Sequence, residues 1–136
     1  MKFMILVKAT KDSEAGVMPT ESLFEEMGAY HEQLAKAGIL VDASGLQRSA
    51  KGWRIKYNGK QRGFVDGPFA ETKELVAGYT VINVKSREEA IEWTKRFPNP
   101  SIDGGVAEIE VRQYFELEDF GDSPAIERFR KLGVGE

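Results

Sequence analysis

Residues 2–9, KFMILVKA, set five consecutive apolar side chains between lysines. Unbroken apolarity over so short a run predicts a strand covered on both faces or lying centrally in a sheet. A polar loop follows over 10–19. From about Thr20 to Ala37 the apolar positions switch to helical spacing, with Leu23, Met27, Tyr30, Leu34 and Ala37 in one stripe. Ser22 and Glu25 form a capping-box pattern at its start, and Gly38 is the stop signal. Phe24 and His31 fall on one border of the stripe, whereas Glu25, Glu32 and Lys36 fall on the solvated side. This is the pattern of a helix packed on a sheet.

A second strand is predicted over 39–47. The arms 52–58 and 60–66 then alternate about Asn58-Gly59, a strong hairpin signal because both residues tolerate positive φ. Trp53, Ile55 and Tyr57 share one face of the first arm, and Arg54, Lys56 and Asn58 the other. Residues 75–84, LVAGYTVINV, read as a strong strand. Ser86 and Glu89 cap a helix with Ala90, Trp93, Thr94 and Phe97 on its apolar side, ended by Pro98 and Pro100. A last strand is expected over 107–117, and a short helix after Ser123-Pro124 through about Leu132. The order strand, helix, strand, hairpin, strand, helix, strand predicts an α+β, ferredoxin-like domain over 1–117: a mainly antiparallel sheet with two helices on one face, plus the hairpin. The sheet's other face needs cover, and a second copy is the simplest supplier, so a homodimer with sheets face to face is expected. The tail, 118–136, is expected to pack on that partner.

Composition narrows the chemistry. The 136 residues, 41% hydrophobic and 30% charged, describe one soluble globular domain. With no cysteine, thiolate nucleophiles, disulfides and cysteine metal sites are excluded, and a single histidine excludes a multi-histidine metal site. No organic cofactor or metal is expected. The run Phe3–Val7 is too short for a signal or membrane segment, so a cytoplasmic location with no membrane contact is the expectation. A net charge of −3 offers no general attraction to nucleic acid. The cations Arg48, Lys51, Arg54, Lys56, Lys60 and Arg62 cluster around the hairpin, where lysines discourage edge-to-edge aggregation. No P-loop, Gly-x-Gly-x-x-Gly, Gly-x-Ser-x-Gly or His-Glu-x-x-His pattern occurs.

The stretch with most chemical content is Val65–Glu74. Asp66 before Gly67-Pro68 is either the acceptor of an Asx turn or an acid–base group at the mouth of a cleft. His31 is either a half-buried histidine bonded to a neighbouring strand or a proton shuttle that works with Asp66. Phe69, Pro68, Trp53 and Tyr79 either line an apolar pocket or fill core and interface. Lys73 is either a solvated charge or an anion contact. In a third arrangement, Tyr57 and Arg62 act at the pocket and His31 is inert.

Asp66-Gly67-Pro68-Phe69 with Ala70-Glu71-Thr72-Lys73-Glu74 resembles the signature of the YCII-related family, in its DGPF-motif branch. The MKFMILV strand, AGIL (37–40), EVR (110–112) and DFG (119–121) extend the resemblance over nearly the whole chain. It implies a dimeric ferredoxin-like fold of the dimeric α/β-barrel type. It also implies a His–Asp pair in a cleft, as proposed for many members, and dehydrohalogenase-type lyase chemistry on small aromatics, as ascribed to one branch. DGPF members also look like companions of extracytoplasmic-function sigma factors, which implies a regulatory setting. His31 lies about one helical turn from the place of the family histidine. Two functions are therefore expected: cofactor-independent acid–base catalysis on a small aromatic or anionic compound, or a non-catalytic ligand-binding or interaction module with a structural DGPF turn.

Overall fold

A computed structural model describes residues 1–135. Strand β1 (Lys2–Lys8) leads through a one-turn helix α1 (Lys11–Glu14) into the long helix α2 (Glu21–Lys36) and strand β2 (Leu40–Gly45). The hairpin arms β3 (Trp53–Asn58) and β4 (Gln61–Asp66) follow, then β5 (Val76–Asn83), α3 (Arg87–Lys95), β6 (Ile109–Gln113) and α4 (Pro124–Leu132). The four-stranded sheet has the order β2-β5-β1-β6 with every neighbour antiparallel, while β3 and β4 form a separate two-stranded sheet. Two strand–helix–strand units, each with a strand of the other unit between its own, make this the ferredoxin-like arrangement.

Period-two alternation decides which residues meet the helices. Phe3, Ile5, Ile82 and Val84 point to the helix side, where they form the core with Tyr30, Leu34, Ile39 and Ala90. Trp93, Phe97, Ile109 and Val111 pack around this cluster. Tyr30 donates its hydroxyl to the Trp93 carbonyl at 2.7 Å and so ties α2 to α3. Burial pushes that phenol up to about 12, so it stays a proton donor at neutral pH. The opposite face carries Met4 beside Val81, Leu6 beside Tyr79, and Asp42 and Ser44 at the β2 edge.

Several boundaries differ from the sequence expectation. Helix α2 is capped by Thr20, whose hydroxyl accepts from the Leu23 N–H, and not by a Ser22–Glu25 box. The loop expected over 10–19 contains α1, closed by a reciprocal Thr10–Ser13 capping box. The hairpin register pairs Asn58 with Gln61, so the two-residue loop is Gly59-Lys60, one position later than Asn58-Gly59. Gly59 alone takes positive φ, +61°, which matches the turn type with glycine at its first central position. Strand β6 covers only Ile109–Gln113 of the expected 107–117, and a turn follows at Leu117–Phe120. Helix α3 starts at Ser86 as expected, with its hydroxyl accepting from the Glu89 N–H at 3.1 Å. A Ser86→Ala change is expected to cost about 1 kcal/mol, read as a lower thermal midpoint.

Candidate functional site

The DGPF turn is built into the fold through its backbone. Gly67 donates its N–H to the Gly52 carbonyl at 2.9 Å, and the Gly67-Pro68 peptide is cis. A Cβ on Gly67 would lie 1.8 Å from the Ser49 carbonyl oxygen, so only glycine fits there. Phe69 donates its N–H to the Ser49 hydroxyl at 3.1 Å. That hydroxyl donates in turn to the Glu14 carboxylate, which also accepts the Ser49 N–H at 2.9 Å. Arg48 reaches the Ala15 carbonyl at 3.2 Å. Above Pro68-Phe69, the Arg54 guanidinium lies 3.7 Å from the centre of the Phe69 ring, a cation–π contact. The turn thus clamps α1, the Ser49–Lys51 turn and the hairpin root together. Glu14 and Ser49 carried no sequence signal, because they are distant in the chain and ordinary in type.

Asp66 closes β4 directly opposite Trp53. Its carboxylate is exposed and makes no hydrogen bond or ion pair among the described residues. Because paired residues share a face, Trp53, Ile55, Tyr57, Arg62, Phe64 and Asp66 all lie on one side of the ribbon. The Trp53 and Phe64 rings are stacked, 6.3 Å apart and 22° from parallel, with 62% and 60% of each residue exposed. Farther out, Arg62 stands 5.0 Å over the Tyr57 ring. An aromatic strip with a free carboxylate at its root is the chemically distinctive surface of the chain.

His31 lies elsewhere, between α2 and β5. Its Nδ1 is 2.7 Å from the Met27 carbonyl oxygen, and its Nε2 is 2.8 Å from the Thr80 hydroxyl. A carbonyl can only accept, so Nδ1 carries the proton and, in the neutral ring, Nε2 accepts from Thr80. Thr80 is 2% exposed. The ring also meets Tyr30 and Phe97 edge-on. No hydrogen bond, ion pair or ring contact joins His31 to Asp66.

Tyr79 neighbours Thr80 in β5 and therefore faces the other side of the sheet, so one pocket in a single chain does not combine Tyr79 with His31. Its hydroxyl donates to Asp42 Oδ2 at 2.9 Å, and this bond to a carboxylate raises the phenol pKa. Lys73 sits exposed in the Thr72–Glu74 turn without an ion pair among the described residues. The expected site residues therefore occupy three places: Asp66, Trp53, Pro68 and Phe69 at the hairpin root with Lys73 just beyond, His31 in the helix–sheet layer, and Tyr79 on the opposite sheet face. Two open hollows, about 510 Å³ beside Tyr57 and Arg62 and about 290 Å³ beside Phe97 and Pro98, include neither His31 nor Asp66. No helix among the described residues is long and apolar enough to cross a membrane.

The match that decides the family is to the YCII-related domain, which spans residues 1–115. The chain belongs to the YCII-related family. An uncharacterised protein of Rhizobium meliloti (strain 1021) is 26% identical to this YCII-related chain over 89 residues, 65% of the chain and 72% of the relative. A similar solved structure is 5-chloro-2-hydroxyhydroquinone dehydrochlorinase from Burkholderia phenoliruptrix AC1100, in complex with 2,5-dihydroxybenzoquinone. It is 14% identical, with a TM-score of 0.46 over 85% of this chain and 95% of the other.

Proposed function

We propose that this YCII-related chain is a homodimer that binds a small aromatic or anionic molecule at the root of the β3–β4 hairpin, with Asp66 as its acid–base group. One observation carries the reading: two stacked, exposed rings, Trp53 and Phe64, share a face with a carboxylate that has no partner among the described residues. An aromatic ligand gains offset stacking on the rings, and a hydroxyl on it meets a base able to take its proton. Asp66 handles the proton without His31, whose ring nitrogens both hold structural bonds. The half-buried Met4, Leu6 and Tyr79 on the face opposite the helices support pairing of two sheets face to face. Size-exclusion chromatography with light scattering checks the dimer, and a monomer at micromolar concentration overturns it.

The ligand site is tested by quenching of tryptophan emission with a panel of phenols and aromatic acids. Trp53 is exposed whereas Trp93 packs on the core, so stacking reports through Trp53. Saturable quenching and a raised thermal midpoint are expected, both lost in Trp53→Ala. Binding retained in Asp66→Asn with turnover abolished marks an enzyme. A panel with no quencher sensitive to Trp53 sinks the reading. The non-catalytic alternative is favoured by the anchoring of Gly67 and Phe69 on Ser49, which explains the motif through structure alone. It predicts binding without turnover in the parent.

A further inference from the structure

Two surfaces of the chain are opposite in charge. The outer part of the hairpin is basic: Lys56, Lys60 and Arg62 lie there, and none of them forms an ion pair among the described residues. It is also apolar on one side, through Tyr57 and its neighbours, and borders an open hollow of about 510 Å³. A two-stranded ribbon of this length is marginal alone in water and gains from anything that covers it. The C-terminal segment is the counterpart. Between Phe115 and Asp122 it carries Glu116, Glu118, Asp119 and Asp122 and no lysine or arginine, whereas α4 beyond it carries Glu127 with Arg128, Arg130 and Lys131, and Arg130 pairs with Glu118 and Glu127.

That segment is also apolar where it is uncovered. Phe115 and Leu132 are 68% and 73% exposed, and Phe120 and Phe129 are exposed as well. Phe115 and Phe120 pack against each other with ring centres 4.7 Å apart. Helix α4 packs chiefly on the Leu117–Phe120 turn. No hydrogen bond, ion pair or ring contact joins this segment to the hairpin within one chain, among the described residues. A basic aromatic ribbon and an acidic aromatic tail therefore sit in the same molecule without meeting.

We infer that each hairpin docks on the acidic C-terminal segment of a second copy, its outer half receiving the partner's exposed phenylalanines while its cations face the partner's carboxylates. Twofold symmetry forms the contact twice, because each copy offers both surfaces. The charges speed and orient association, and the rings supply the buried apolar area. The contact rests on the dimer reading above and leaves the ligand site at the hairpin root separate from it.

The test uses the full chain in two charge-reversed forms. One carries Lys56→Glu and Lys60→Glu, the other Glu118→Lys and Asp122→Lys, all at exposed positions outside the ligand site. Sedimentation equilibrium is expected to show each form self-associating about tenfold more weakly than the parent. The parent's own association should weaken as salt rises from about 0.05 M to about 0.5 M. Mixed in equal amounts, the two forms should recover the parent's affinity as a heterodimer, since each reversed surface then meets its complement. That recovery also rules out misfolding of either form. Reversed forms that dimerise like the parent leave the sheets as the sole interface and overturn the docking, as does a mixture without recovery. A monomeric parent overturns it too and leaves a foreign acidic partner as the hairpin's occupant. Quenching of Trp53 by the aromatic probe reads the ligand site independently of all these results.

Discussion

A Gly67→Ala chain is expected to unfold about 10 °C below the parent, the equivalent of roughly 3 kcal/mol for a domain of this size. The new methyl would sit 1.8 Å from the Ser49 carbonyl oxygen and 2.6 Å from its carbonyl carbon. Both are backbone atoms, held by the Gly52 N–H bond to that oxygen and by the Gly67 N–H bond to Gly52. Neither can move without opening the hairpin root. The strain therefore displaces the turn and breaks the Phe69 N–H bond to Ser49 and the stacking of Arg54 on Phe69. Gly63→Ala is the matched control. It lies in the same hairpin, but its Cβ would meet the Lys56 carbonyl at 3.9 Å, an ordinary contact, and a change within about 0.5 kcal/mol is expected. Thermal unfolding followed by circular dichroism measures both. A Gly67→Ala midpoint equal to the parent's would mean that the turn is not anchored on Ser49.

The division between what residue patterns disclose and what they hide follows the range of the interactions. Helix α3 and the helix after Ser123 were legible because their caps are local: Ser86 bonds the Glu89 N–H, and Ser123 bonds the Ile126 N–H ahead of Pro124. The hairpin faces were legible because alternation is local too, although the loop register shifted by one when Gly59, not Asn58, took the positive φ. The DGPF turn was recognisable as a turn, yet its partners Ser49 and Glu14 were not, since nothing near them marks a contact across the fold. Phe69 shows the same limit. Its type suggested a pocket, and its ring lies under Arg54.

The partner of His31 was more accessible than those. Thr80 is the polar member of the β5 face that also carries Ile82, with buried Val84 just past the strand, and a buried hydroxyl on that face needs a partner from the helix above it. His31, on the border of the α2 stripe, is the group that can reach. The pair bridges helix and sheet in the manner of a structural histidine.

That bridge gives the second large effect. His31→Ala is expected to cost about 2–3 kcal/mol, because it leaves the Thr80 hydroxyl without its acceptor and removes a ring packed edge-on against Tyr30 and Phe97. Thr80→Val keeps the shape and removes the donor, so about 1–2 kcal/mol is expected. Because both changes break one shared bond, the double variant should lose about 1 kcal/mol less than the sum of the two, read from denaturant midpoints at constant m. The same variants separate structure from chemistry. If the ring serves only to seat α2 on β5, ligand quenching at Trp53, and any turnover through Asp66, persist in His31→Ala wherever the protein is folded. Turnover that collapses in His31→Ala while stability and ligand binding hold would instead place the imidazole in the reaction. Its Nε2 would then have to leave Thr80 during the cycle, since a nitrogen holding that hydroxyl has no free position for a substrate proton.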